Sequence, residues 1–199
     1  MIALTIHYNT PDLVKGMYDS FRQFYDIKFV IIDGSDEKYY RQLKEKEFVN
    51  TEIIHFSFNI HHGPGMAWAF TNLDSDKILV LDTDVFIHKR FLEILEPRLK
   101  TWQYGIGDVQ TVNWDGWNVA QGIRYLHPAC MLVNRKVILQ WPLPIKHGAP
   151  MIEAMKAIHE RGRDGLLNYC PEVDTKIHNG IYIEHHWQGT VKRTGGYHL

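Results

Sequence analysis

The amino-acid sequence predicts an α/β domain with a doubly wound, mostly parallel sheet and helices on both faces. In the first half of the chain, short apolar runs alternate with helical patterns, as they do in repeated βαβ units. The run Lys77–Leu81 is apolar at four consecutive positions, which is typical of a strand that is covered on both faces. In such sheets ligands bind beyond the carboxyl ends of the strands, so the residues that follow each strand are the first candidates for a site.

The predicted elements follow one another in a regular order. The first strand covers residues 2–7, and Thr10 and Pro11 then fit the N-cap and the first position of a helix. From Leu13 to Phe21 apolar residues recur at helical spacing, and this helix is expected to end near residue 25. We expect the next elements at these positions: strand 29–32, helix 39–47, strand 53–58, helix 63–73 and strand 77–81.

The second half of the chain has a different pattern. Four tryptophans and several glycines lie within residues 102–141, and the hydrophobic periodicity is weak as far as residue 129. We therefore expect irregular surface built onto the sheet, of the kind that often carries recognition. A strand at 129–133, a helix at 151–159 and a final strand at 181–184 complete the prediction. No linker or repeat separates the halves, so a single domain over residues 1–199 is expected.

Length, charge and cysteine usage exclude several classes of protein. With 199 residues the chain can bury one sizeable core, and its net charge of -1 gives no overall attraction to nucleic acid or to an anionic membrane. Residues 1–9 lack a basic leader and a long apolar run, so neither a signal peptide nor a membrane span is expected, and a cytoplasmic protein follows. Cys130 and Cys170 lack a CxxC pairing and are expected to be reduced core thiols.

The motif Asp82-Thr83-Asp84 follows the buried fourth strand and is the most informative part of the sequence. Side chains alternate along an extended backbone, so the two carboxylates project to one side and can share a ligand. Neighbouring carboxylates repel each other unless a cation or a proton lies between them, and hard oxygen ligands select Mg²⁺ or Mn²⁺. The alternative is a solvated turn that caps a following helix.

Three further segments form an ordered set with this motif. Asn9-Thr10-Pro11 ends the first strand, Asp33-Gly34-Ser35-Asp36 ends the second, and the glycine-bearing segment 59–67 follows the third. In order and spacing the set resembles family 2 glycosyltransferases, whose first strand ends in a TYN-type turn and whose second ends in a DDGS-type motif. The resemblance covers about the first hundred residues. It implies the GT-A fold, in which residues 1–100 would bind a nucleotide-sugar donor and residues 101–199 an acceptor.

The resemblance also implies a cofactor and a reaction. A divalent ion, Mn²⁺ or Mg²⁺, would bridge the donor diphosphate while a sugar moves to the acceptor. Asp33 falls where a carboxylate of the family contacts the base. Since a carboxylate can accept a hydrogen bond from N3–H of uracil, a UDP-sugar is the favoured donor. The alternative for Asp33 is a cap in an Asx-turn.

Donor contacts are expected on the first strand, at the strand ends, at the glycines after the third strand and in the C-terminal tail. The glycines would let the backbone come close to the donor. A polar strand end is the alternative for His7 and Tyr8, and a solvated tail is the alternative for Lys192. The expected donor-binding residues are Thr5, His7, Tyr8, Asp33, His62, Gly63, Gly65, Asp82, Thr83, Asp84 and Lys192.

Asp82, Asp84 and His185 are the expected metal site. The resemblance makes Asp84 a direct ligand and places Asp82 near the ribose or a metal-bound water. Residues 184–190 resemble an H-x-G-S/T stretch in which some GT-A enzymes provide a histidine ligand. Adjacent His185 and His186 point to opposite faces of an extended backbone, so one of them would reach the metal, and we favour His185. The alternative is an ordinary surface or core histidine, since the chain has 12.

The catalytic base is the least defined part of the site. Inverting members of the family place a Glu-Asp pair at a helix start, where it takes the acceptor's proton. Residues 148–153 lack that pair, so Glu153 is the first candidate and Asp115 the second, although Glu153 can instead interact with the helix dipole. Inversion is expected from the family, and a retaining reaction stays open. Trp114 and Trp117 lie in a polar, loop-like setting and are the candidate acceptor contacts.

Two other classes compete with a transferase. A nucleotidyltransferase is disfavoured because residues 9–12 stand where its glycine- and lysine-rich loop would follow the first strand. A binding module that keeps only nucleotide or glycan affinity is supported by the missing Glu-Asp pair. The acceptor is not identified: a soluble glycan, a protein, a small molecule and a modified nucleic-acid base are all open, and a lipid-linked acceptor is less expected.

Overall fold

The computed structural model describes residues 1–146 and 148–186. No helix in these two ranges is long and apolar enough to span a bilayer. The helices are α1 (Pro11–Arg22), α2 (Glu37–Lys44), α3 (His62–Asn72), α4 (Leu92–Arg98), α5 (Arg135–Ile138) and α6 (Ile152–Glu160). The strands are β1 (Ile2–His7), β2 (Phe29–Asp33), β3 (Thr51–His55), β4 (Lys77–Leu81), β5 (Val85–Ile87), β6 (Gly105–Val112), β7 (Ile123–Asn134), β8 (Leu167–Tyr169) and β9 (Ile183–His185).

The main sheet contains seven strands in the order β3-β2-β1-β4-β7-β6-β8. The first four are parallel, β7 is antiparallel to both of its neighbours, and β8 is parallel to β6. The predicted α/β architecture with a mostly parallel sheet is therefore confirmed. The chain moves outward from β1 to β3 and returns to place β4 on the other side of β1, so the switch point lies between β1 and β4.

Two hydrophobic cores cover the two faces of the sheet. Because side chains alternate along β2, Ile31 belongs to the core that includes Val14 of α1, whereas Ile32 belongs to the core that includes Phe70 of α3 and Ile158 of α6. All five side chains are fully buried. Burial of one such side chain contributes about 1.5–3 kcal/mol, so the apolar strands hold the helices on both faces.

The prediction of irregular surface from residue 102 to about residue 129 was wrong, whereas the predicted strand at 129–133 is confirmed as part of β7. The long strands β6 and β7 pair there and lie inside the main sheet. The glycines that suggested a loop allow the strands to approach each other: a Cβ on Gly107 would lie 2.5 Å from the carbonyl oxygen of Cys130. Residues 113–122, between the two strands, match the predicted irregular surface.

Several element boundaries also differ from the prediction. The third strand covers Thr51–His55 rather than residues 53–58, and the second helix begins two residues earlier than expected. The final strand, Ile183–His185, pairs with β5 in a separate two-stranded sheet. The expectation for the thiols is confirmed, since Cys130 and Cys170 are both free and buried.

Candidate functional site

Three side chains line up at the carboxyl ends of three neighbouring parallel strands. His7 ends β1, Asp33 ends β2 and His55 ends β3. The strand register pairs His7 with Asp33 and Asp33 with His55, so the three side chains lie on one face of the sheet. The row is a direct consequence of three strands that end in register.

The carboxylate of Asp33 is fully buried at the centre of this row. Its Oδ1 lies 2.7 Å from Nδ1 of His7 and 2.6 Å from the hydroxyl of Ser35, and its Oδ2 lies 2.6 Å from Nδ1 of His55. Although burial acts to raise it, the hydrogen bonds from His7, Ser35 and His55 lower the pKa of Asp33 below its ordinary value. The backbone N–H of Thr10 donates to Nε2 of His7, which fixes the His7 tautomer with the proton on Nδ1.

His55 belongs to this row but is not among the residues predicted from the sequence. Its ring stacks on Tyr40, with 3.7 Å between the ring centroids and 5° between the planes. Nδ1 donates to Asp33, so in the neutral form of the ring Nε2 would carry a lone pair, and the side chain is 19% exposed. The signal was available in the sequence: correct placement of the end of β3 puts His55 beside Asp33.

The motif Asp82-Thr83-Asp84 forms a tight turn on the other side of the switch point. The N–H of Asp82 donates to the carbonyl oxygen of Ala129 at 3.0 Å, and the N–H of Val85 donates to the carbonyl oxygen of Asp82 at 3.2 Å. Thr83 and Asp84 are each 6% exposed. Since the turn leads into β5 and Asp84 is buried, the alternative of a solvated helix cap is wrong.

Asp82, Asp84 and His185 form a cluster whose candidate ligand atoms all lie within 4.8 Å of one another. Nε2 of His185 lies 3.2 Å from Oδ1 of Asp84 and 3.9 Å from Oδ2 of Asp82. The β5–β9 pair creates this contact, because its register places Val85 opposite His185. Two carboxylates and an imidazole are a donor set that fits a divalent metal ion. The neighbouring His186 is half exposed and contacts Glu184 instead, at 3.0 Å.

Two further histidines surround this cluster. Nε2 of His62 lies 3.2 Å from Oδ1 of Asp82. Burial acts against both charges, but their attraction prevails, so the pKa of His62 is raised and that of Asp82 is held far below its usual range. The ring of His127 lies 6.1 Å from that of His185, and burial lowers the pKa of His127 to about 4. His127 is therefore neutral at pH 7.

The glycines at the start of α3 have a packing role. A Cβ on Gly63 would lie 2.3 Å from the carbonyl oxygen of Lys146, and a Cβ on Gly65 would lie 2.9 Å from the side chain of Ile6. The space beside these two glycines is thus occupied by atoms of the protein itself. Their contact with a donor stays a prediction.

The remaining donor candidates lie in different settings. Thr5 is fully buried, and its hydroxyl has no hydrogen-bond partner among residues 1–146 and 148–186. Tyr8 is half buried, and burial followed by the charge of Asp36 raises its pKa. Lys192 lies outside the described residues. Neither Thr5 nor Tyr8 belongs to the metal cluster, and their donor contacts stay predictions.

The two candidate bases lie outside the metal cluster. Glu153 forms ion pairs with Lys146 at 2.9 Å and Lys156 at 3.1 Å, and these hydrogen bonds lower its pKa. Asp115 is exposed in the β6–β7 loop, where its N–H donates to the side chain of Asn113. A lowered pKa weakens a general base at neutral pH, so Glu153 has little in its surroundings that favours that role.

The comparisons with known proteins agree with this geometry. A family model described as "Glycosyl transferase family 2" matches residues 3–162. The chain is similar to the galactosyltransferase LgtC in complex with donor and acceptor sugar analogs, with 12% identity and a TM-score of 0.62 over 93% of this chain and 86% of that one. No curated protein matches.

Two other solved structures resemble the chain. One is glucosyl-3-phosphoglycerate synthase from Mycobacterium tuberculosis with Mn²⁺, UDP-glucose and glycerol 3-phosphate, with 12% identity and a TM-score of 0.62 over 85% of this chain and 69% of that one. The other is the mannosyltransferase PcManGT from Pyrobaculum calidifontis with GDP-Man and Mn²⁺, with 12% identity and a TM-score of 0.59 over 87% and 55%.

At these identities the solved structures support the fold, and they confirm the predicted GT-A arrangement. The family match rests on separate evidence, since it covers both the parallel strands and the Asp82-Thr83-Asp84 motif. The chain therefore belongs to glycosyl transferase family 2.

Proposed function

We propose that this glycosyltransferase is metal-dependent and moves a sugar from a UDP-sugar to its acceptor. The observation that carries the proposal is the cluster of Asp82, Asp84 and His185 at the carboxyl ends of the parallel strands. Ligands of open α/β sheets bind at this edge, next to the switch point between β1 and β4.

The chemistry of the cluster favours Mn²⁺ over Mg²⁺. Mg²⁺ prefers oxygen ligands alone, whereas the imidazole of His185 adds a nitrogen to the carboxylates of Asp82 and Asp84. The similar synthase and mannosyltransferase structures both contain Mn²⁺. When bound, the ion supplies positive charge for the leaving diphosphate. The pKa of His62 is raised, and in its protonated form His62 would place a further positive charge beside Asp82.

The row of His7, Asp33 and His55 supports a nucleoside site next to the cluster. Asp33 is fully buried between the two histidines, so in this arrangement it is a positioning residue for His55. Nε2 of His55 then accepts a hydrogen bond from an N–H group of the base, and N3–H of uracil has that polarity. The similar glucosyl synthase was solved with UDP-glucose, which agrees with a uridine donor.

For the stereochemical outcome we keep inversion as the expectation, with Glu153 and Asp115 as the candidate bases. The anomeric proton coupling of the transfer product, measured by NMR, distinguishes inversion from retention. If Glu153 is the base, Glu153→Gln lowers kcat at least about a hundredfold, the smaller of the usual contributions of general base catalysis. If kcat is unchanged, Glu153 is only a partner of Lys146 and Lys156.

Thermal unfolding with nucleotides tests the proposal directly. UDP, GDP, CDP and ADP are compared with and without Mn²⁺, on the wild type, on Asp84→Ala and on Asp74→Asn. Asp74 is an exposed aspartate between α3 and β4 and serves as the control. A ligand that is present at a hundred times its Kd and binds only the folded state raises the unfolding free energy by about 2.7 kcal/mol.

We expect stabilisation by UDP that requires Mn²⁺, persists in Asp74→Asn and is absent in Asp84→Ala. Stabilisation by another nucleotide would change the donor class and keep the metal role. No stabilisation by any nucleotide would overturn the proposal. Hydrolysis of a UDP-sugar in the same samples separates an enzyme from a binding module, and release of pyrophosphate from a nucleoside triphosphate would indicate a nucleotidyltransferase.

A further inference from the structure

A polar cavity lies on the part of the sheet formed by the antiparallel strands. Its volume is about 470 Å³, which is within the usual size range of small-molecule sites. The walls come from β6, from the β6–β7 loop and from the segment after β8. The polar side chains that line it are Asp108, Gln110, Thr111, Asn118, Asp174 and Lys176.

The pairing of β6 with β7 is irregular at Asp108, which lines this cavity. On one side Gly107 pairs with Met131, and on the other side Val109 pairs with Leu126, so the register shifts at Asp108. The extra residues of this irregularity are on β7, where residues 127–130 lie opposite the single residue Asp108. Asp108 is 3% exposed and lines the cavity wall.

The cavity contains two buried carboxylates with spare capacity to accept hydrogen bonds. Asp108 Oδ2 accepts a hydrogen bond from Gln110 at 2.7 Å, and Asp174 accepts hydrogen bonds from the Tyr169 hydroxyl at 2.7 Å and the N–H of Lys176 at 2.9 Å. The Lys176 ammonium group donates to the side-chain oxygens of Asn118 and Gln110 at 2.8 and 2.9 Å. Burial, with the charge of Asp174, raises the pKa of Asp108 to about 6.

The cavity lies next to the metal cluster. Strand β7 separates β4 from β6, and the backbone N–H of Asp82 donates a hydrogen bond to the carbonyl oxygen of Ala129 on β7. The distance from β4 to β6 across β7 is two strand spacings, or about 10 Å, which one sugar ring and its substituents can span. Between the two sites lies His127, whose ring is 6.1 Å from that of the candidate ligand His185.

Exposed aromatic rings stand near the cavity. Trp117 is 73% exposed and Trp114 is 48% exposed, and both lie in the β6–β7 loop that supplies Asn118 to the cavity wall. The side chain of Asn113 accepts the N–H of Asp115 and of Trp117, which holds this loop in a defined turn. Sugars present apolar C–H faces and hydroxyl edges, so aromatic rings beside hydrogen-bonding groups match their chemistry.

We propose that this cavity binds the acceptor and that the acceptor is a carbohydrate, whose hydroxyl groups donate to Asp108 and Asp174 and whose ring packs against Trp117. The role of this carbohydrate as the acceptor rests on the proposed function, whereas carbohydrate binding by the cavity does not. The aspartates lie on the opposite side of β7 from Asp82, so the donor and the acceptor approach each other across β7.

Saturation-transfer NMR tests the cavity with defined sugars. The probes are the α and β methyl glycosides of glucose, galactose, mannose and N-acetylglucosamine, titrated with UDP and Mn²⁺ present. The variants are Asp108→Asn, which keeps the shape of the side chain, and Trp117→Ala, which alters a side chain that is 73% exposed. Asp74→Asn is the control, and nucleotide stabilisation in each variant reports on an intact fold and donor site.

We expect at least one glycoside to bind the wild type and the control, with a Kd about tenfold higher in Asp108→Asn and about fivefold higher in Trp117→Ala. If no glycoside binds, or if both variants bind it as the wild type does, the inference is overturned. If a glycoside binds in the expected pattern while no nucleotide stabilises the protein, the cavity assignment stands and the transferase proposal fails.

Discussion

Oδ2 of the buried Asp33 lies 2.6 Å from Nδ1 of His55, and the two residues are register partners at the ends of β2 and β3. The carboxylate fixes Nδ1 as the nitrogen that donates, and in the neutral ring Nε2 is then the acceptor. A fully buried group thus sets the hydrogen-bonding polarity of a side chain that is 19% exposed.

His55→Phe is the first prediction that follows. Phenylalanine keeps the stacking on Tyr40 and removes both ring nitrogens. We expect the Kd for UDP with Mn²⁺, measured by calorimetry, to rise about tenfold, which corresponds to about 1.4 kcal/mol or one hydrogen bond. His159→Phe, at an exposed position of α6, is the matched control. An unchanged Kd in a folded His55→Phe variant would remove His55 from the nucleoside site.

His185→Gln and His186→Gln give a second prediction from two adjacent residues. His185 approaches Asp84 at 3.2 Å, whereas His186 contacts Glu184. We expect the first variant to bind Mn²⁺ at least about tenfold more weakly, because a ligand is lost, and the second to differ less than about twofold. Electron paramagnetic resonance of free Mn²⁺ measures both affinities. Equal effects in the two variants would contradict the assignment of His185.

The parallel half of the fold was predictable because its information is local. Each strand of the first hundred residues is a short apolar run with a turn-forming segment after it, and the Asp82-Thr83-Asp84 motif stands directly behind one of these runs. The antiparallel half was not predictable in the same way. Gly105 and Gly107 suggest a loop in the sequence, but each is needed where two strands pack too closely for a side chain.

The candidate site shows the same difference between residues that a local pattern predicts and residues that depend on long-range contacts. Asp82 and Asp84 follow from a local pattern, whereas the contact with His185 depends on the pairing of β5 with β9, about 100 residues apart in the sequence. His55 was missed because the predicted third strand ended three residues too late. Asp108 was missed because the cavity that it lines is built from β6, the β6–β7 loop and the segment after β8, which are far apart in the sequence.

Gly63→Ala gives a third prediction, on stability. Alanine favours a helix over glycine by about 1 kcal/mol, but the new Cβ would lie 2.3 Å from the carbonyl oxygen of Lys146. We expect the overpacking to prevail and the unfolding free energy, measured with urea, to fall by about 1–2 kcal/mol. Gly165→Ala is the control, since its Cβ meets nothing within 4 Å and a change below about 0.5 kcal/mol is expected. Equal stability of the two variants would refute the packing role of Gly63.

The pH dependence of Asp108→Asn is the fourth prediction. Burial, then the charge of Asp174, raises the pKa of Asp108 to about 6 against the opposing effects of Gln110, Lys176 and His185. The unfolded chain releases this proton near pH 4, whereas the folded protein retains it until about pH 6. The folded state therefore binds more protons in this window, and its stability falls as the pH rises.

Asparagine cannot ionise and still accepts the hydrogen bond from Gln110, so Asp108→Asn does not lose stability in this way as the pH rises. We expect the unfolding free energy of the variant, relative to that of the wild type, to increase between pH 4 and pH 6 and to level off above pH 7. A rise of the pKa from 3.8 to about 6 corresponds to a gain of at most about 3 kcal/mol. Urea unfolding at each pH measures the difference, with Asp74→Asn as the control that stays level. If the difference in unfolding free energy between Asp108→Asn and the wild type also does not change with pH, the carboxyl group of Asp108 is solvated in the wild type. The cavity would then lack the buried acceptor on which carbohydrate binding depends.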